Sequence, residues 1–128
     1  MYSQNTFTKA ERISAQREID LLFNEGLSFV SYPLRVVYLH KQPFSRVCCS
    51  VLISVPKKRL KHAVDRNRIK RLVRESYRLN KQAFVDSLQT PDAGFLVAFI
   101  YIGNGIASYA EIEAAVQKAL RKIMEQSL

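Results

Sequence analysis

Glycine, proline and cysteine are scarce in this chain, whose 128 residues include four glycines, four prolines and two cysteines. Few chain-breaking residues and a hydrophobic content of 48% predict a folded globular chain and argue against disorder. No stretch approaches the ~18 apolar residues of a membrane span, and the polar residues 1–6 do not resemble a signal peptide. We therefore expect a cytoplasmic protein without a membrane partner.

The two cysteines, Cys48 and Cys49, are adjacent in the sequence. In a strand their side chains would point to opposite faces, so a structural disulfide between them is not expected. No CxxC motif or nearby Cys/His cluster is present, so zinc binding is not expected either. His40 and His62 are isolated, and His62 is either a plain surface histidine or a phosphate contact.

Acidic residues are the minority among the charged ones, with eleven Asp and Glu against twenty Lys and Arg. They are scattered along the chain, and motif spacing assembles neither a Ser/His/Asp nor a Cys/His set. A phosphate-binding glycine loop and a metal-ligand cluster are also missing from the sequence. The residues alone therefore predict a binding module without catalytic residues of its own.

The excess positive charge is concentrated in residues 57–78. Ten basic residues and two acids, Asp65 and Glu75, give this segment a charge of +8, against +9 for the whole chain. So localised a charge predicts a polyanionic partner, and charge alone does not separate RNA from duplex DNA. The alternative is a solvated charged face. The basic residues are Lys57, Lys58, Arg59, Lys61, Arg66, Arg68, Lys70, Arg71, Arg74 and Arg78.

Residues 65–78 separate into two faces when successive residues are placed about 100° apart on a helix. The predicted buried stripe consists of Ile69, Leu72, Val73, Ser76 and Tyr77. The cationic face, an arc of roughly 100°, consists of Asn67, Lys70, Arg71, Arg74 and Arg78, while Arg66 and Arg68 flank the stripe. Arginine predominates on α2, and its planar guanidinium can donate two hydrogen bonds to one phosphate. An anionic ligand would relieve the repulsion among these like charges.

The remaining sequence predicts two further helices and three strands. Ser14 is a plausible N-cap for a helix that ends near Phe23 or Asn24, with Gly26 as its stop. Its inward stripe consists of Ile19, Leu22 and Phe23. Strands are predicted over residues 34–39, 47–55 and 93–102, with a turn at 41–45. A further short strand is expected from the splitting of one of the early ones.

The last strand and the last helix have the clearest patterns. Alternate residues of the strand are apolar on both faces, so we expect both faces to be covered. Ser108 and Glu111 form a capping box that begins the final helix. The helical spacing predicts an inward stripe of Ile112, Ala115, Val116, Ala119, Leu120 and Ile123. The chain has no internal repeat and no linker that would divide it.

Two sequence blocks closely resemble the signature of the bacterial ribonuclease P protein subunit. The first is Ser-Val-Pro-Lys-Lys at residues 54–58, and the second is Ala-Val-Asp-Arg-Asn-Arg-Ile-Lys-Arg-Leu-Val-Arg-Glu at residues 63–75. Outside them the resemblance is weaker but colinear, through Phe7, the end of the first helix, and Tyr32, Pro33 and Leu34. Between the blocks, residues 59–62 lack the glycine that many family members have, which argues against a tight turn there.

The resemblance implies an α+β fold of order αβββαβα, a two-layer sandwich with helices packed on a mixed four-stranded sheet. The basic helix would lie in a βαβ crossover that is left-handed, although right-handed crossovers are the general rule. Residues 1–128 would form one RNA-binding domain, monomeric by itself, with the ribonuclease P RNA and precursor tRNA as partners. In this family the RNA subunit removes the 5′ leader by Mg²⁺-dependent hydrolysis, and the protein assists substrate binding and metal affinity.

The resemblance also implies site residues. The contacts with the catalytic RNA would be Arg66, Asn67, Arg68, Lys70, Arg71 and Arg74, flanked by Lys57 and Lys58. Arg59, Lys61 and Arg78 complete the same basic segment. The leader cleft would lie between the basic helix, the sheet and the first helix, with Phe7, Arg12, Phe23 and Tyr38 as candidates by position; core packing is the alternative for Phe23 and Tyr38.

Two other functions stay open on the sequence. One is a structural or ribosomal-type RNA-binding protein with no part in processing, which would share the basic helix. The other is a nuclease that acts without an RNA subunit, against which the lack of a carboxylate cluster argues. In the reading that we favour, the protein is an accessory subunit of an endoribonuclease. Magnesium would then be held mainly by the RNA and by no protein motif.

Overall fold

The computed structural model describes residues 16–40, 49–87 and 95–127. The elements are α1 (Gln16–Glu25), β1 (Leu27–Ser31), β2 (Leu34–His40), β3 (Cys49–Ser54), α2 (Ala63–Ser87), β4 (Phe95–Tyr101) and α3 (Tyr109–Ser127). This order confirms the predicted α+β fold. Ser14, the turn at 41–45 and Cys48 lie outside the described residues. None of the described helices is long and apolar enough to cross a membrane.

The four strands form one mixed sheet in the order β1-β2-β4-β3. β2 pairs antiparallel with β1 on one side and with β4 on the other. β3 and β4 are parallel neighbours, paired from Cys49 opposite Phe95 to Ser54 opposite Ile100. Parallel neighbours require a crossover connection, and α2 supplies it. The basic helix therefore lies in the predicted βαβ unit.

β4 is covered on both faces, as its sequence pattern predicts. One face belongs to the larger core, which it shares with β2, α2 and α3, through Phe95, Val97, Phe99 and Tyr101. The other face belongs to a smaller core that includes Leu22 of α1 and Val37 of β2, through Leu96 and Ala98. Thus α2 and α3 pack on one face of the sheet, and α1 packs on the opposite face.

α3 begins and packs as predicted. The Ser108 hydroxyl accepts a hydrogen bond from the Glu111 amide (3.2 Å), and the Glu111 carboxylate accepts one from the Ser108 amide (3.1 Å). These reciprocal bonds confirm the capping box. The predicted inward stripe is buried along its whole length: Ile112, Ala115, Val116, Ala119, Leu120 and Ile123.

Two expectations about the first part of the chain were wrong. The additional strand does not come from splitting a predicted strand; it is β1, which pairs with β2 from Leu27 opposite Tyr38 to Ser31 opposite Leu34. It was missed because it is a short edge strand with an irregular burial pattern. Phe23 is not a core residue, since 46% of it is exposed. α1 rests on the sheet through a narrow stripe in which Leu22 alone is fully buried.

Candidate nucleic-acid interface

α2 has the two faces that its sequence predicts, and it continues beyond Arg78 to Ser87. Ile69, Val73 and Tyr77 are buried in the larger core, which fixes the rotation of the helix against the sheet. The remaining circumference carries cationic residues, and more cations lie in the turn before the helix. The exposed cations of the two segments are Lys57, Lys58, Lys61, Arg68 and Arg71, and Asn67 is exposed among them. The half-buried cations are Arg59, Arg66, Lys70, Arg74 and Arg78.

Most of these cations have no partner within the described part of the chain. Nine of the ten form no ion pair with a carboxylate there, and seven of those nine also donate no hydrogen bond to another residue. They are Lys57, Lys58, Lys61, Arg68, Lys70, Arg71 and Arg74. We call these seven residues and Asn67 the basic surface. Its charge is therefore available to an external anion.

Arg78 differs from the basic surface because Glu75 neutralises it locally. The Arg78 Nη2 atom lies 2.5 Å from the Glu75 Oε1 atom. The hydrogen bond from Arg78 holds the pKa of Glu75 below its ordinary value. Arg78, a predicted RNA contact, is thus less available to an anion than its neighbours on α2.

A tight turn precedes α2, although residues 59–62 contain no glycine. The Pro56 carbonyl accepts hydrogen bonds from the amides of Arg59 (3.0 Å) and Leu60 (3.3 Å). No non-glycine residue among those described has a positive φ, so this turn does not need glycine. The turn spans residues 56–60 and so lies mostly before residues 59–62, to which the expectation from the missing glycine applied. Leu60, which is 7% exposed, anchors the turn in the larger core.

Two arginines of the basic segment hold this turn in place. The Arg66 guanidinium donates hydrogen bonds from Nη1 to the carbonyls of Leu60 (3.0 Å) and Lys61 (2.8 Å). Arg59 donates from Nη1 to the Asn104 side-chain oxygen (3.3 Å), in the loop after β4. Because Arg66 binds the backbone of its own chain, its first role is structural. The sequence pattern did not separate Arg66 from the exposed Arg68.

The two described leader-binding candidates, Tyr38 and Phe23, do not lie together. Tyr38 is 6% exposed and lies in the larger core, with its ring centroid 5.8 Å from that of Phe29 and 6.4 Å from that of Phe95. Its ring is therefore not available for stacking on a base, and we do not retain it as a candidate. Phe23 belongs to α1, on the opposite face of the sheet, and is exposed. Phe7 and Arg12 lie outside the described residues.

The sheet face that carries α1 offers further apolar residues that the sequence reasoning did not propose. Leu39, Leu52 and Ile100 are partly buried there, on β2, β3 and β4, and pack against the smaller core. The sequence signal that could have found them is the alternation of side chains along each strand. It places them on the sheet face opposite Val51 and Phe99. These three residues form a partly open apolar surface on the sheet face that carries α1.

No group of three or more His, Cys, Asp and Glu side chains suited to a metal ion occurs in residues 16–40, 49–87 and 95–127. His40 stacks on Phe95, with ring centroids 4.8 Å apart. His62 is exposed just before α2, and its carbonyl accepts the first helical hydrogen bond, from the Arg66 amide (3.1 Å).

The fold and this surface define a class: a small α+β protein that carries a basic helix in a parallel crossover and is suited to bind a polyanion. The chain belongs to the ribonuclease P protein family, because residues 7–124 match the family described as Ribonuclease P. The Ribonuclease P protein component of Porphyromonas gingivalis is 44% identical over 125 residues, which cover 96% of this chain and 91% of that protein. That of Chlorobaculum tepidum is 31% identical and covers 97% and 86%.

Solved structures show the same fold. The RNase P protein of Staphylococcus aureus superposes with a TM-score of 0.70 at 22% identity, over 90% of this chain and 95% of that one. The RNase P protein of Thermotoga maritima gives a TM-score of 0.67 at 24% identity, over 88% and 96%. Membership of the ribonuclease P protein family makes the chain part of an endoribonuclease complex.

Replacing Arg66 by Gln should destabilise the fold, because the carbonyls of Leu60 and Lys61 lose a charged donor. We expect the free energy of unfolding to fall by about 1–2 kcal/mol, measured by urea denaturation followed by circular dichroism. Arg68→Gln, at an exposed position without these bonds, should change it by less than about 0.5 kcal/mol. Equal values for the two variants would contradict the structural role of Arg66.

Proposed function

We propose that this chain binds the RNA subunit of ribonuclease P through the basic surface and thereby assists removal of the 5′ leader from precursor tRNA. The observation that carries the proposal is a set of seven cations that have neither an ion pair nor a hydrogen bond among the described residues. The set continues from the turn before α2 along one side of that helix. Such an arrangement suits a structured polyanion whose phosphates follow a fixed path.

Within the basic surface, arginine and lysine would serve different contacts. Arg68, Arg71 and Arg74 can each engage a phosphate with two hydrogen bonds. Lys57, Lys58 and Lys61 would act as point charges at the turn. Asn67, which is exposed among the cations of α2, offers an amide that can hydrogen-bond a base edge or a sugar hydroxyl.

In this proposal the RNA subunit performs the hydrolysis, with Mg²⁺ held mainly by the RNA. The protein contributes by binding, because its cations lower the repulsion between the phosphates of the RNA subunit and those of the substrate. Less Mg²⁺ would then be needed to bring the two RNAs together. The complex would act in the cytoplasm, on many different precursors.

The 5′ leader would lie on the partly open apolar surface formed by Leu39, Leu52 and Ile100, on the sheet face that carries α1 and its exposed Phe23. A flexible single strand binds such a surface by stacking and apolar contact, which tolerate any base. Binding that does not depend on base sequence suits a protein whose substrates have many different leaders. The exposed ring of Phe23 is the contact to which we assign the stacking.

Arg71→Ala should weaken binding of the ribonuclease P RNA by roughly five- to thirtyfold, the equivalent of about 1–2 kcal/mol for a charged hydrogen bond. The fold should remain intact, since Arg71 is exposed. Fluorescence anisotropy of the labelled RNA measures the affinity. Lys118→Ala removes one exposed charge from α3 and should change the affinity by less than threefold; equal losses would mean that binding is not localised on α2.

Cleavage of precursor tRNA at low Mg²⁺ tests the function itself. Adding the protein to a bacterial ribonuclease P RNA should raise the rate of 5′ processing, because neutralised phosphates lower the Mg²⁺ requirement. The triple substitution of Arg68, Arg71 and Arg74 by Ala should abolish most of that gain. Tight RNA binding without any gain in cleavage would instead support a structural RNA-binding protein, and cleavage by the protein alone would support a protein nuclease.

Phe23→Ala should weaken holoenzyme binding to precursor tRNA by roughly five- to 150-fold, because one stacked base contributes about 1–3 kcal/mol. Affinity for mature tRNA, which has no leader, should not change. Leu79→Ala is the matched control, since Leu79 is 45% exposed against 46% for Phe23. A loss that is the same for precursor and mature tRNA would place Phe23 outside the leader contact.

A further inference from the structure

A second surface lies at the end of the sheet where β1 meets β2 and the chain leaves β4. A groove of about 150 Å³ is lined there by residues that include Tyr32, Asn104, Ile106 and Glu111. Tyr32 is 65% exposed and Ile106 is 48% exposed. An exposed aromatic ring and an exposed aliphatic side chain thus border one shallow opening.

The walls of this groove are fixed by the fold. The buried hydroxyl of Tyr101 donates a hydrogen bond to the Gly105 carbonyl and accepts one from the Ala107 amide (3.1 Å). The Ile102 amide donates to the Pro33 carbonyl (2.8 Å), which joins the two sides. A Cβ atom on Gly103 would lie 2.6 Å from the Tyr101 hydroxyl, so only glycine permits this close approach. The groove is therefore preorganised.

The groove adjoins the basic surface. Asn104, which lines it, accepts the hydrogen bond from Arg59, and Arg59 belongs to the same turn as the exposed Lys57 and Lys58. Three cations therefore lie in a turn that contacts the groove wall. Cations beside an accessible ring are the combination with which proteins hold an unstacked nucleotide, the base on the ring and the phosphate on the cations.

The charge of Glu111 indicates which part of a nucleotide would bind in the groove. Its carboxylate lines the groove and is held by the amide and hydroxyl of Ser108 (both 3.1 Å). A carboxylate repels a phosphate but accepts hydrogen bonds from the amino group of a base. The base would therefore lie in the groove and the phosphate over the turn.

We propose that this groove docks one unstacked nucleotide of the RNA partner, with its base against Tyr32 and Ile106 and its phosphate on the turn that carries Lys57, Lys58 and Arg59. This inference rests on the proposed function, because it takes an RNA as the occupant. Charge complementarity favours RNA over a second copy of a chain whose net charge is +9. The amino-bearing bases adenine, guanine and cytosine suit Glu111 better than uracil.

The chain contains no tryptophan, so Tyr32→Trp introduces a single fluorescent reporter into the groove. We expect its emission to be quenched when the ribonuclease P RNA of Porphyromonas gingivalis saturates the protein, because the indole stacks on a base. Leu27→Trp is the matched control, since Leu27 is also 65% exposed and lies at the other end of β1. Its emission should not change.

Anisotropy of the labelled RNA separates the possible failures. Unchanged binding without quenching of Trp at position 32 would overturn this inference and leave the proposed function intact. No binding by any form of the protein would overturn the proposed function first. A change in emission with protein concentration alone, before RNA is added, would show that a second copy covers the groove and would also overturn the inference.

The salt dependence of binding provides a second readout. Tyr32→Leu should weaken RNA binding about tenfold at every salt concentration, because stacking does not release counterions. Tyr32→Phe, which keeps the ring, should restore the affinity. Lys58→Gln should instead reduce the slope of log K against log salt by roughly 0.7–0.9. An equal change of slope for Tyr32→Leu, or no loss of affinity, would contradict stacking.

Discussion

β4 is the strand on which the rest of the structure depends, because it is paired on both edges and covered on both faces. Its parallel pairing with β3 requires the crossover that α2 provides. The apolar stripe of α2 must then pack on the same sheet face as Phe99 and Tyr101. This packing fixes the helix rotation and leaves its cationic side to the solvent. The basic surface is thus a consequence of how the core is built.

The arginines of α2 and of the turn before it serve two purposes. Arg66 and Arg59 find oxygen acceptors within the chain, at Lys61 and Asn104, and so hold the turn that presents the lysines. Arg71, on the outer side, has no such acceptor in the described structure and keeps its charge for a partner. Like charges at helical spacing each cost a few tenths of a kcal/mol. Burial of the apolar stripe is large enough to offset this cost.

Sequence reasoning succeeded where a pattern was long and regular. The buried stripe of α3, the two apolar faces of β4 and the two faces of α2 all repeat often enough to be predicted. It failed at β1, a short edge strand, and at Phe23, where helical spacing suggested burial but α1 has too little contact with the sheet. Tyr38 follows the alternation of its strand, yet alternation does not say which face two helices cover and which face stays partly open.

The sequence by itself determined the family, the position and sign of the charge, and the apolar stripes, because each depends only on residues that are close together in the chain. The tertiary structure alone decided that Tyr38 is buried while Phe23 is exposed, and that Arg66 binds backbone carbonyls. It also brought Arg59 to Asn104, 45 residues away in the sequence, and formed the groove beside Tyr32. These features depend on contacts between distant segments, whose geometry no local periodicity encodes.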